Sequence, residues 1–136
     1  MNTRRQFLKG SLIAAGAAAM SSSRQVFASA GGYPTGIFYT QNNPGRWAKK
    51  VGSHAPKVSV KGQTVTILTA HPMSEKHYIV RHTLVFADGK VLGEKTFYPT
   101  DKTAVSTYQL PKNAGTRFYA TSFCNLHDFW MTEFTV

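Results

Sequence analysis

From Lys57 to Val136 the chain is a succession of short alternating runs, none with a convincing helical repeat, and this pattern confines it to an all-β architecture. The runs are Val58-Ser59-Val60, Thr64 to Thr69, Tyr78 to Ala87, Lys90 to Tyr98, Ala104 to Leu110, Arg117 to Phe123 and Met131 to Val136. The turn pair Asp88-Gly89, Pro99 and the Pro111 to Gly115 segment punctuate them. About seven short strands predict a β-sandwich.

The N-terminus has a different character. Thr3-Arg4-Arg5-Gln6-Phe7-Leu8-Lys9 precedes an uncharged, alanine-rich stretch from Leu12 to Met20, and Ala28-Ser29-Ala30 follows. That order is a signal peptide over 1–30, with cleavage expected after Ala30. The paired arginine and the weakly apolar core resemble the twin-arginine export signal, and the stretch is too short for a membrane span. The expected location is therefore periplasmic or otherwise exported. Proteins on that route travel folded, so a cofactor can be acquired before export. Residues 31–46, rich in Gly, Pro, Asn and Gln, read as an irregular leader, leaving 47–136 as the domain.

An exported protein with a single cysteine cannot form an internal disulfide, so Cys124 needs another explanation. Sixteen Lys and Arg oppose six Asp and Glu. Without residues 1–30 the balance is 12 against 6, a net charge of +6. The first acid is Glu75, whereas Arg46, Lys49, Lys50, Lys57 and Lys61 all precede it, which predicts one electropositive end. With no aromatic-basic recognition motif, this charge does not argue for nucleic-acid binding.

Cys124-Asn125-Leu126-His127 directly follows a predicted strand; a thiolate and an imidazole three residues apart in a loop can both reach one metal ion. Upstream, His71-Pro72-Met73-Ser74-Glu75-Lys76-His77 places two histidines around a proline-broken turn, and His54-Ala55-Pro56 precedes the first predicted strand. Four histidines and the lone cysteine thus fall at strand ends or in loops, where side chains from separate strands converge. The fifth histidine, His82, lies inside an alternating strand on a face with Tyr78, Val80, Leu84 and Phe86, and is expected to be a packed core residue.

In His-x-Pro, His-Pro-Met with a second histidine six residues on, and Cys-Asn-Leu-His, the chain resembles the one-iron superoxide reductases (neelaredoxins and the iron-binding domain of desulfoferrodoxins) from about Trp47 onward. The resemblance implies a seven-stranded immunoglobulin-like sandwich carrying one iron per chain, with His54, His71, His77 and His127 as equatorial ligands and Cys124 axial. It implies one-electron reduction of superoxide to hydrogen peroxide, with iron cycling between ferrous and ferric. It also implies a separate electron donor protein, since no cysteines remain for the relay domain of two-iron members. A homo-oligomer is a further implied partner, as oligomers are common among members.

One departure stands out. Members carry a Glu-Lys pair immediately before the first histidine ligand, where this chain has Gly52 and Ser53. The lysine's attraction of superoxide would then pass to a neighbouring cation, with Lys50 the choice over Lys49 and Lys76. The alternative chemistry is a blue-copper electron carrier using Cys124, His127, Met131 and one upstream histidine, which leaves two of His54, His71 and His77 unexplained.

Overall fold

The computed structural model describes residues 36–136. The signal peptide expected over 1–30 lies outside the described residues, as does the leader up to residue 35. Seven strands form: β1 (Lys57–Lys61), β2 (Thr64–Thr69), β3 (Ile79–Phe86), β4 (Val91–Thr96), β5 (Ala104–Gln109), β6 (Arg117–Cys124) and β7 (Asp128–Thr135). They make a three-stranded sheet in the order β1-β2-β5 and a four-stranded sheet in the order β4-β3-β6-β7, all antiparallel. This is the immunoglobulin-like sandwich the alternating pattern and the resemblance point to. Among the described residues no helix is long and apolar enough to cross a membrane.

Two apolar clusters fill the space between the sheets. Val65, Ile67, Leu84, Leu110, Phe118 and Ala120 form the main one. Ile79, Phe97, Ala104 and Cys124 form a second, against which Met73 packs. The second cluster carries the thiol, so one end of the sandwich core is built around sulfur.

Three local features differ from the expected pattern, each for a physical reason. Ile79 is fully buried whereas Tyr78 and Val80 are not, because the β3 register shifts between Ile79 and Arg81 and reverses the alternation there. β7 starts at Asp128, three residues before the expected Met131, because Cys124 pairs with Asp128 across a hairpin whose loop is only Asn125-Leu126-His127. Asp128 takes φ 65°, the left-handed conformation that closes such loops and that Asp tolerates. Finally, the described part of the leader is ordered by its contact with β7. Tyr39 forms a parallel bridge with Trp130, donating its N–H to the Phe129 carbonyl and accepting one from Met131, and its ring is buried against Trp130. A 3₁₀ turn (Gly45–Lys50) then runs into one helical turn (Val51–His54) that no apolar periodicity announced.

Candidate metal centre

Every expected ligand arrives at one end of the sandwich from a different piece of backbone. His54 ends the helical turn Val51–His54, His71 follows β2, His77 precedes β3, Cys124 closes β6, and His127 sits in the β6–β7 hairpin loop. A small set of hydrogen bonds holds these pieces together. The Ser74 hydroxyl and backbone close a tight turn onto His77. The Asn125 side chain accepts the Tyr78 N–H at 3.0 Å and donates to the Lys76 carbonyl at 3.0 Å, clamping the hairpin loop to the His77 turn. Trp130 Nε1 donates to the His127 carbonyl at 2.9 Å, and the Trp47 ring meets the His127 imidazole edge-on. Trp47 is fixed in turn by its N–H to Asp128 Oδ2 at 2.9 Å, an oxygen shared with Arg46.

His54, His77, Cys124 and His127 present ligand atoms that all lie within 4.8 Å of one another. His71 adjoins them, with its Nε2 3.0 Å from His77 Nε2 and its ring edge-on to His54. His127 Nδ1 is 3.0 Å from His54 Nε2 and 2.9 Å from His77 Nε2. The sulfur is 3.2 Å from His77 Nε2 and 3.8 Å from His127 Nδ1. Going round, His54–His71, His71–His77, His77–His127 and His127–His54 are each edge-to-face, at interplanar angles of 80, 80, 67 and 90°. His54 and His77, across the ring, are closer to parallel at 28°. Four imidazoles therefore stand as a pinwheel.

These separations fit a common ion. Two nitrogens at right angles on one metal, each bonded at about 2.0–2.1 Å, lie about 3 Å apart. Hydrogen bonding does not account for them, because His127 Nδ1 faces two imidazole nitrogens and a sulfur at once, and a ring nitrogen has either one lone pair or one proton.

The protonation states agree. His54 Nδ1 faces the Lys50 carbonyl at 3.2 Å and Ser53 Oγ at 2.8 Å. A carbonyl only accepts, so Nδ1 carries the proton and Nε2 turns its lone pair to the centre. Burial, reinforced by the other histidines, pushes His54 and His71 down to about 4, and burial with Lys50 nearby lowers His77. Burial first, then His77 and Lys50, lowers His127. All four favour the neutral, ligating form. Burial pushes the Cys124 thiol up, against the backbone N–H groups of Leu126 and His127 that hydrogen-bond its sulfur. A bound cation would reverse that balance and ionise it.

Lys50 is half-buried, and its positive charge helps to lower His71, His77, His127 and the Cys124 thiol. Met131 lies away from the centre. It pairs with Thr121 on the outer face of the four-stranded sheet, where it lines a groove with Phe38 and Val85. His82 is buried and apart, as expected of a packed histidine. Asn125, Trp47, Trp130 and Asp128 were not foreseen as parts of the site, nor was the contact that Ser53 makes with His54; only Asn125, inside the Cys-x-x-His motif, and Ser53, directly before His54, carried a signal.

Residues 46–133 match the family model described as Desulfoferrodoxin, and residues 1–21 match that of the twin-arginine translocation pathway signal sequence. The comparison with curated proteins returned no match. Among solved structures, the superoxide reductase (neelaredoxin) from Ignicoccus hospitalis is 26% identical, over 74% of this chain and 94% of that one, with a TM-score of 0.63. The superoxide reductase from Treponema pallidum is 27% identical over 62% of this chain and 69% of that one, with a TM-score of 0.53. The one-iron superoxide reductase from Giardia intestinalis, 24% identical over 62% and 98%, shares the fold at a TM-score of 0.57. The family match spans well over half of the sequence, from just before the helical turn that bears His54 to the last strand, and the chain belongs to the desulfoferrodoxin family.

Proposed function

We propose that this chain is an exported superoxide reductase that takes one superoxide, one electron and two protons to hydrogen peroxide, its iron held by His54, His71, His77, His127 and Cys124. The observation that carries this reading is the pinwheel of four neutral imidazoles with a thiol against it, at separations suited to one ion. Iron bound there supplies the one-electron ferrous–ferric couple and an exchangeable position for the substrate. The protein's share is to keep the imidazoles neutral, to supply a soft, electron-rich sulfur, and to hold a positive charge where a small anion arrives. The electron comes from a separate donor, and the twin-arginine signal supports work in the periplasm.

The test is elemental analysis of the protein exported by its own host, with electron paramagnetic resonance after oxidation. About one iron per chain with a high-spin ferric signal, and superoxide consumed at the expense of a reductant, are expected. About one copper with a cupric signal would overturn the reading. His54→Ala separates the same alternatives: an iron centre loses a ligand, its ferric signal and its activity, whereas a copper site built on His71 or His77 keeps its colour.

Ser53 does for His54 what the family's lysine at that position cannot: its hydroxyl holds the ring nitrogen that faces away from the centre. Gly52 has open space where a Cβ would project, so packing does not dictate the missing side chain. Lys50 supplies the attracting charge in this reading. Lys50→Ala should lower the second-order rate with superoxide by about three- to tenfold at low ionic strength, with the difference shrinking as salt rises, while Lys76→Ala changes it little. Stopped-flow superoxide decay across a salt series measures both. Equal rates for Lys50→Ala and the wild type at low salt would remove Lys50 from the mechanism.

A further inference from the structure

His82 lies beneath the centre without touching it, in a chain of buried polar side chains that the proposed chemistry does not use. His82 Nδ1 is 2.9 Å from Ser106 Oγ, His82 Nε2 is 2.8 Å from Thr69 Oγ1, and Thr69 Oγ1 is 2.8 Å from Ser122 Oγ. All four residues are buried, His82 and Ser122 completely. The order Ser106–His82–Thr69–Ser122 runs β5, β3, β2, β6, alternating between the two sheets and using two strands from each. Hydroxyls both donate and accept, so either neutral tautomer of His82 satisfies the chain. Apolar side chains slide past one another more readily than hydrogen bonds break, and apart from the exposed Lys95 Nζ to Val105 carbonyl bond between β4 and β5, this buried chain is a directional crosslink between the sheets.

Its position gives it a purpose. Thr69 ends β2, its carbonyl accepts the His71 N–H at 2.8 Å, and His71 is two residues on. Ser122 is two residues before Cys124 on β6 and, by alternation, on the same face. The Phe97 ring, edge-on to His82, belongs to the apolar cluster that contains Cys124. The crosslink therefore ties the strand end that delivers one expected ligand, from the three-stranded sheet, to the strand end that delivers the thiol, from the four-stranded sheet.

We infer that His82 is a positioning residue: it orients the Thr69 hydroxyl, whose direct hydrogen bond to Ser122 braces β6 against β2 and so fixes Cys124 relative to His71. The inference rests on the metal-centre reading for its consequence, but the brace itself is a property of the protein alone. Partners outside the ligand set that orient ligands are worth about ten- to a hundredfold in metal affinity.

The experiment compares His82→Leu with Leu84→Ala, which lies two residues along the same strand in the main apolar cluster, away from the ligands. Each metal-free protein is titrated with cobalt(II) against a competing chelator. His82→Leu should bind about tenfold more weakly, with a shifted thiolate-to-cobalt absorption, whereas Leu84→Ala loses stability in urea and keeps both properties. Wild-type affinity and spectrum in His82→Leu, or the same losses in Leu84→Ala, would overturn the inference. A second arm needs no metal: well below each urea midpoint, at denaturant giving both variants the same small unfolded fraction, Cys124 should react with a thiol reagent about tenfold faster in His82→Leu than in Leu84→Ala. Equal rates there also overturn the brace, whereas a wild-type protein that takes no cobalt counts against the metal centre alone. Should His82→Leu not fold, Ser106→Ala cuts only the Nδ1 contact and must move affinity and thiol reactivity in the same direction; wild-type values sink the idea.

Discussion

Replacing Cys124 by serine is expected to lower the rate of superoxide reduction by at least about a hundredfold and to abolish the thiolate-to-iron absorption of the oxidised protein, while leaving the sandwich folded. The thiol is almost fully buried, stands 3.2 Å from His77 Nε2, and is the only soft donor in a set otherwise made of imidazoles. A hydroxyl there is shorter, harder and far more reluctant to ionise, so it would bind weakly and give up little electron density. The backbone N–H groups of Leu126 and His127 would remain to hydrogen-bond the serine oxygen, so burying it should cost little. Iron content, the visible spectrum and far-ultraviolet circular dichroism separate the possible failures. A serine variant that folds, holds iron and reduces superoxide within threefold of the wild-type rate would remove the sulfur from the chemistry.

How much of this was legible in the sequence follows from what each residue depends on. The strands were readable because their alternation is local, and β2 falls at its expected limits, Thr64–Thr69. The candidate ligands were readable as a set because a metal site demands particular donor types and turns demand particular spacings: His-Pro-Met puts a histidine before a proline-broken turn, and Cys-x-x-His spans a three-residue hairpin loop. What was not legible depends on pairs distant in the chain. The Asp128 carboxylate that holds Trp47, itself edge-on to His127, lies 81 residues away from that tryptophan, and no local pattern announces such a bond. The one-turn helix bearing His54 has no apolar repeat, since what fixes it is Ala55, Val51 and Trp47 packing against Tyr39 and Trp130. His82 shows the limit from the other side. Parity correctly marked it as buried, but parity cannot tell an apolar environment from a line of hydroxyls contributed by three other strands.

That line of hydroxyls sets the second large effect, which appears as the metal-free protein is taken to acid. Burial, with Lys95 adding to it, pushes His82 down to about 4, whereas an unfolded histidine titrates near 6.5. Between those values the unfolded chain binds a proton that the folded one refuses, so stability falls as the pH falls. His82's contribution is fully present above about pH 6.5, declines below it, and is lost once the pH passes the folded value; for a fully buried group it amounts to roughly 3 kcal/mol. His54 and His71, also near 4, act in the same direction in the metal-free protein. Small domains are stable by only about 5–15 kcal/mol, so three such histidines bring this one close to unfolding by about pH 4 to 5. Urea midpoints of the metal-free protein should therefore fall steeply from pH 7 to 5. In His82→Leu the slope should shrink by about 1.4 kcal/mol per pH unit, one proton's worth, over the lower part of that range. A flat profile for the wild-type protein would mean that these imidazoles are not held neutral by burial, and would weaken the case that they are preset as ligands. A steep profile that His82→Leu leaves unchanged would place the proton uptake on the ligand histidines alone, and would show that the hydroxyl chain tolerates a charged imidazole at its centre.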